Sequence, residues 1–387
     1  MKNSLDGVRV VDITSNVAGP FATHILASLG AEVLKVERPG GGDDTRGWGP
    51  PFWDGVGLTF LDLNRGKQSY ELDLKDSDHR GQLIDLVASA DVLVQNLRPK
   101  SLSRLGFGAE DLTARFPRLI YCDISGFGFT GPLADNPAFD PLMQAYSGLM
   151  SITGHEEADP ARIPVSMLDK GAGMWAAIGV LSALREREHT GRGQIVRTSL
   201  LETAFGFASV QAMGYLATGL TPGQLGSGTT GIAPYEAFPT RDGHVIIAAA
   251  NDRLFQATCV ALERPDLAAD PRYAINPLRF AARGELRDSI AATTRQLMTA
   301  ELMGRLDAQQ VPAHPVNTFA DALATEQVEA MRLFQPVGGM AEDVVAMRLP
   351  LTFDGEFGES FTAPPSLGSG NRQGPDTHST ANQKGTP

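Results

Sequence analysis

Strand and helix patterns alternate through the first third of the chain, and this alternation restricts the fold more than any other feature. Val8 to Ile13 reads as a strand, Phe21 to Leu29 as a helix ended by Gly30, and Ala31 to Glu37 as a second strand. His79 to Ser89 reads as a helix, with strands at Asp91 to Gln95 and Leu119 to Ile124. Strand–helix–strand repetition implies an α/β fold with a parallel sheet and right-handed crossovers. Between the second strand and the next helix, Pro39 to Gly66 is rich in glycine and proline and reads as a long loop, a kind often functional. The middle reads as helices over Asp140 to Met150, Lys170 to Arg187 and Leu200 to Thr218. A glycine-rich stretch, Gly219 to Gly231, precedes a hairpin that turns at Asp242-Gly243. A strand near Ala313 to Val316 and helices from Ala320 to Leu333 follow. These patterns predict a large domain begun by 1–224, a smaller α+β domain over 225–315, and a return to the large domain in 316–387. The last part, Ala363 to Pro387, is expected to be extended or disordered.

A chain of 387 residues, 42% hydrophobic and 20% charged, can bury a large core. Its net charge of −12 argues against a nucleic-acid binder, which would carry a basic face. Cys122 and Cys259 stand alone in apolar stretches and read as buried free thiols, and no histidines pair at metal-ligand spacing. No signal-like segment opens the chain and no apolar run is long enough for a bilayer, so the expected place is the cytoplasm, with no membrane or nucleic-acid partner and no metal.

Asp169 is the leading chemical candidate. It precedes a helix of small and apolar residues, Lys170-Gly-Ala-Gly-Met-Trp-Ala-Ala. It reads either as a plain helix N-cap or as a nucleophile held ionised by the helix dipole. The turn Thr14 to Pro20 ends a strand and opens a helix; it suits an anionic ligand, or is simply a capped helix start. Gln95 to Arg104 carries three positive charges and no acid, at the sheet edge where open α/β folds bind ligands. Arg38 and Lys75 can converge on that edge, a set that suits a ligand with several phosphates; a solvated basic turn is the plainer alternative. Gly226-Ser-Gly-Thr-Thr-Gly231 matches G-x-G-x-x-G literally, but Pro234 follows where a dinucleotide site needs a helix. It reads as a linker, or as a mobile loop whose amides at Gly226, Gly228 and Gly231 face developing negative charge. No G-x-S-x-G or Cys/His pattern offers a rival nucleophile.

The ordered series resembles the family III CoA-transferases, the group with formyl-CoA and carnitine CoA-transferases and the α-methylacyl-CoA racemases. The resemblance runs from Leu5 to about Leu367. It rests on Leu5-Asp-Gly-Val-Arg-Val-Val-Asp12, Ala18-Gly-Pro20, Leu29-Gly-Ala-Glu-Val-Leu-Lys-Val-Glu37, Asn64-Arg-Gly-Lys67, Leu72-Asp-Leu74, Asp123-Ile-Ser-Gly-Phe-Gly128, Gly131-Pro132, the block Asp169 to Glu202, and Pro234-Tyr235. It implies a Rossmann-like large domain, a small domain, and an interlocked homodimer. It implies Asp169 as nucleophile and CoA contacts at Val17, Ala18, Arg38, Leu72 to Lys75, Asn96, Leu97, Arg98 and Arg104. Acyl-CoA and a carboxylic acid would be substrates, with no permanently bound cofactor. Trp48 is a candidate for facing the acyl group, and the 226–231 loop for a lid.

Two departures narrow the expectation. Formyl-CoA transferase has a glutamine where this chain has Val17, and a glycine run ending in glutamine where it has Gly226 to Gly231. The racemases carry a histidine in a Gly-His-Asp segment, where this chain has Ala138-Phe139-Asp140; phenylalanine moves no proton. The expected activity is therefore acyl-CoA:carboxylate CoA transfer. A 2-methylacyl-CoA racemase and a non-catalytic CoA-binding partner subunit are the alternatives.

Overall fold

The computed structural model describes residues 4–357 and 362–372. Its centre is a six-stranded parallel sheet in the order Gln68–Glu71, Glu32–Glu37, Arg9–Asp12, Val92–Gln95, Ile120–Ser125, Ile195–Ser199. The inner strands are buried along nearly their whole length, as expected of parallel strands covered on both faces. Alternate residues divide between those faces. Val11, Leu34, Leu93 and Tyr121 pack with Leu83, Val87, Leu102, Phe107 and Leu112. Val10, Val33, Val92 and Cys122, also buried, point the other way by that alternation. The first helix, Ala18–Ser28, gives way at Leu29 to Gly30 at φ 105°, a left-handed backbone that favours glycine.

The chain divides into two compact units. The first contains 1–147, 163–212 and 332–387 and holds the parallel sheet. The second contains 148–162 and 213–331. It has a three-stranded antiparallel sheet in the order Ala313–Pro315, His244–Ala248, Tyr235–Pro239. Phe238, Val245, Ile247, Phe255, Leu286, Ile290, Leu302 and Leu306 form its core. Arg279 is fully buried there; it donates to the carbonyls of Ala233 and Tyr273 and pairs with Asp252.

Several expectations need correction. The Pro39–Gly66 stretch is not one loop: it holds a 3-10 turn at Asp44–Gly47, a hairpin of Phe52–Trp53 with Val56–Gly57, and a helix at Leu58–Asn64. Asp54 and Gly55 both have positive φ, the turn that Asp-Gly supplies between paired strands. The helix expected over Asp140 to Met150 ends at Tyr146, because Gly148 at φ 87° breaks it before Leu149–Ile152. The helix expected over Leu200 to Thr218 is interrupted at Ala208. Part of the expected loose tail is docked. Gly368 N–H donates to Ser69 Oγ, and the Asn371 amide accepts from Glu71 N–H, which satisfies an edge strand. Residues 373–387 lie outside the described residues. Among the described residues no helix is long and apolar enough to cross a membrane.

Candidate active site

Asp169 lies in the first turn of the longest helix described, Met167–Thr190. Small residues let this helix sink into the first unit. Gly171, Ala172, Gly173, Ala176 and Ala177 are all buried. A Cβ at Gly173 would stand 2.6 Å from the Ala18 carbonyl oxygen. Glycine here is thus what brings the Asp169 helix against the start of the first helix. A Cβ at Gly19, one residue on in that first helix, would stand 2.3 Å from the Thr14 side chain, so glycine there lets the Thr14–Pro20 turn fold tightly back on itself. Val17 and Ala18 are buried at this helix start.

The amides at the mouth of the long helix are taken by Asp140. Its Oδ2 accepts from Leu168 N–H at 2.7 Å and from Asp169 N–H at 3.2 Å. Asp140 is only 2% exposed, and its Oδ1 accepts from the Gln144 amide. Gln144 also clamps Ile163, accepting from its N–H and donating to its carbonyl. Asp169 is therefore neither the N-cap nor a carboxylate held ionised by the helix amides. Burial, and then the negative Asp140 beside it, push its carboxyl up to about 7.

A buried charge network supports the first turn. Lys67 Nζ donates to Asp12 Oδ2, to Thr23 and Asn64, and to the Pro20 carbonyl. Lys35 Nζ pairs with Asp43 at 2.9 Å and donates to the Thr14 carbonyl. Burial alone would raise Asp12, but Lys67 and Lys35 hold it well below the usual carboxylate range. Burial pulls Lys67 down to about 8 against the pull of Asp12. Asp43 accepts in turn from Asn16 N–H. The residues quoted from the sequence as motifs at Asp12, Lys35, Asn64 and Lys67 thus form one scaffold under the turn, a role the sequence reading did not assign.

A cleft of about 350 Å³ opens at the carboxyl edge of the parallel sheet. Arg38, Leu72, Lys75 and Leu97 all line it, together with Ser15, Leu74 and Leu105. Arg38 is ion-paired with Asp44, another lining residue. The expected convergence of Arg38 and Lys75 is therefore observed. Arg98 and Arg104 are exposed at the two ends of the short Pro99–Ser103 helix, next in sequence to the lining leucines. Asn96 serves the fold: its side chain accepts from Ser15 N–H at 2.9 Å and donates to Ser15 carbonyl at 2.8 Å. Trp48, 43% exposed, follows the Asp44–Gly47 turn. Phe139 is 54% exposed and sits at the N-cap position just before buried Asp140.

The glycine loop belongs to the second unit. Two of its three candidate amides are used internally. Gly226 N–H donates to the Gly154 carbonyl and Gly228 N–H to the Leu225 carbonyl. Neither is a free donor for a developing oxyanion, which corrects the sequence reading at those two positions. Gly231, at φ 83°, donates to no group among the described residues.

Comparison with known proteins decides the family. The profile described as CoA-transferase family III matches residues 5–371. The chain belongs to CoA-transferase family III. A succinyl-CoA:glutarate CoA-transferase of Mus musculus is 37% identical over 363 residues, covering 94% of this chain and 83% of that one. An acetyl-CoA:oxalate CoA-transferase of Acetobacter aceti is 38% identical over 340 residues, covering 88% and 87%. A crystal structure of a CAIB/BAIF family protein from Brucella suis is 37% identical, with a TM-score of 0.84 over 95% of this chain and 97% of that one. A hypothetical protein from Mycobacterium tuberculosis is 31% identical, with a TM-score of 0.85 over 95% and 98%. For a member of CoA-transferase family III, the arrangement offers a half-buried carboxylate, a supported helix start and a leucine-lined cleft that also holds Arg38 and Lys75 beside Glu37, Asp43, Asp44 and Asp73.

Proposed function

We propose that this family III protein moves CoA from an acyl-CoA to a carboxylic acid, with Asp169 as the covalent carrier. The observation that carries the reading is the Asp169 carboxyl itself. It is half-buried at a helix mouth and poised near neutrality, where a reactive carboxylate is most useful. Asp169 attacks the donor thioester carbonyl, which forms a mixed anhydride and releases CoA thiolate. The thiolate attacks the Asp169 acyl carbon, which forms an aspartyl-CoA thioester and releases the donor acid. An acceptor carboxylate then attacks that thioester and displaces the thiolate. The thiolate finally takes the acceptor acyl group and frees Asp169. No net water is consumed, and no metal or redox partner is needed for the balance.

The cleft is the proposed seat of the CoA nucleotide. Leu72, Leu74, Leu97 and Leu105 would give a flat base apolar walls, while Arg38 and Lys75 in the lining, with Arg98 and Arg104 next in sequence to Leu97 and Leu105, would answer its phosphates. Val17 and Ala18 would lie along the thiol arm at the first helix start. The acids are proposed to be short dicarboxylates, on the names of the mouse and Acetobacter aceti relatives. Racemization is disfavoured, since exposed Phe139 offers no proton. We also propose a homodimer. Met174, Trp175 and Ile178 on the Asp169 helix, with Phe205, Phe207 and Val210, expose large apolar side chains, a surface that self-association would cover.

The test is a transfer assay with succinyl-CoA or acetyl-CoA against glutarate, oxalate and mesaconate, in the wild type and Asp169→Ala. The wild type should move CoA to at least one acid and the variant to none. Full activity in Asp169→Ala would end the reading. Lys75→Ala and Arg38→Ala should raise KM for acyl-CoA with kcat little changed, since a charge-assisted contact is worth roughly 1.5–3 kcal/mol. Unchanged KM in both would remove the nucleotide from the cleft.

A further inference from the structure

We propose that Asp140 is a positioning residue for Asp169: it occupies the open amides at the start of the Met167–Thr190 helix, withholds them from the Asp169 carboxylate, and so keeps that carboxylate reactive. The inference rests on the reading of Asp169 as the nucleophile.

A helix start presents free N–H groups and the positive end of the dipole, and a carboxylate that takes them is strongly stabilised. A stabilised carboxylate is a poor nucleophile. In this helix every early amide already has an acceptor. Met167 N–H donates to the Val165 carbonyl at 2.8 Å. Leu168 N–H and Asp169 N–H both donate to Asp140 Oδ2. Lys170 N–H makes the first intrahelical bond, to the Ser166 carbonyl. Ser166, at the N-cap position, contributes no side-chain bond. Asp169 therefore sits within the turn that would best quench it and receives none of its amides.

Asp140 cannot easily leave this post. It is buried, and its second oxygen accepts from Gln144, which is itself fixed to Ile163 by two hydrogen bonds. A fixed negative group thus faces the nucleophile from the Asp140–Tyr146 helix. The other charged groups near the long helix are turned elsewhere. Lys170 reaches Asp62 at 3.2 Å and lies over the Phe21 ring. His24 of the first helix is held neutral, by burial and then by the positive Arg65, Lys67 and Lys170. Glu202 of the Leu200–Phe207 helix is bonded to Ser199. From the sheet, Asp123 accepts from Gln95 and Arg197 pairs with Glu110. Burial and Asp140 are what set the Asp169 carboxyl near neutrality. At that setting a large fraction is ionised at neutral pH, and the ionised form is more basic, hence more nucleophilic, than an ordinary aspartate.

The test reads the Asp169 carboxyl directly, without substrate. Infrared difference spectra of the full chain against Asp169→Asn are followed through pH for the wild type, Asp140→Asn and Asp140→Ser. The wild-type midpoint should lie near 7. In both Asp140 variants, it should fall by at least one pH unit, a tenfold loss of proton affinity. An unchanged midpoint in both variants overturns the proposal. Should neither variant fold, Gln144→Leu, which releases Asp140 from its anchor, is titrated in their place: a lowered midpoint supports the proposal, and an unchanged one, or a wild-type midpoint near 4, overturns it. The pH profile of transfer should move by the same amount. If the titration shifts as expected but no CoA moves to any acid, the positioning role stands and the transferase reading falls.

Discussion

At the scale of single residues, the Asp169 carboxyl links reactivity to stability. Its proton affinity is higher in the folded chain, about 7 against 3.8. Between those values the folded chain keeps a proton that the unfolded chain has released. Stability from this group therefore falls as pH rises from about 4 to 7, and the full cost stands above 7. Asp169→Asn removes the cost. It should stabilise the protein by roughly 1–3 kcal/mol at pH 8 and by little at pH 4, measured by denaturant unfolding at both values. An equal gain at the two pH values would contradict this account. Asp169 was legible in the sequence as an acid before a small-residue helix. Asp140 was not, because it lies 29 residues upstream and meets the helix only through tertiary structure. A cap drawn from another element leaves no local spacing signal.

Elements position the site through close approach and buried charge. Gly173 holds the long helix against the first helix start. In an isolated helix, Gly173→Ala would gain about 1 kcal/mol of propensity. Here the new methyl would meet a backbone oxygen at 2.6 Å, so a net loss of about 1–3 kcal/mol is expected, with a raised KM for acyl-CoA. A more stable variant with unchanged KM would contradict the packing argument. Lys67→Met should be worse, at roughly 3–5 kcal/mol, because it leaves Asp12 buried without its partner. Its urea midpoint against wild type checks this, and an unchanged midpoint would remove the network from the fold's support. The strands at Val8 to Ile13, Ala31 to Glu37, Asp91 to Gln95 and Leu119 to Ile124 were legible because buried parallel strands read as apolar runs, whereas the edge strand Gln68–Glu71 has no such run and was missed. The Phe52–Gly57 hairpin carried a readable Asp-Gly signal but was too short to stand out among glycines and prolines. Lys67 and Lys35 look like surface residues in sequence, and the buried oxygens brought to them by the fold, Asp12 and Asp43 with the Pro20 and Thr14 carbonyls among them, explain their burial.

The whole molecule carries the claims that a single chain shows least directly. The parallel sheet and family membership were legible from the ordered motifs. The docking of residues 366–372 on the edge strand was not, since glycine, serine and asparagine carry no apolar signal and act there through hydrogen bonds to Ser69 and Glu71. The exposed apolar side chains along the Asp169 helix lead to a further expectation: sedimentation equilibrium should give twice the mass of one chain, and a monomer at micromolar concentration would contradict the proposed pairing. The central claim is the covalent role of Asp169, and one measurement reaches it most directly. The wild type and Asp169→Asn are incubated with acyl-CoA, quenched, digested and analysed by peptide mass spectrometry, with hydroxylamine trapping of acyl-activated carboxylates. The account predicts CoA on the wild-type peptide containing Asp169, its conversion to the hydroxamate by hydroxylamine, and no adduct in Asp169→Asn. Transfer that proceeds with no adduct or hydroxamate at Asp169, or with the adduct on another residue, would contradict it.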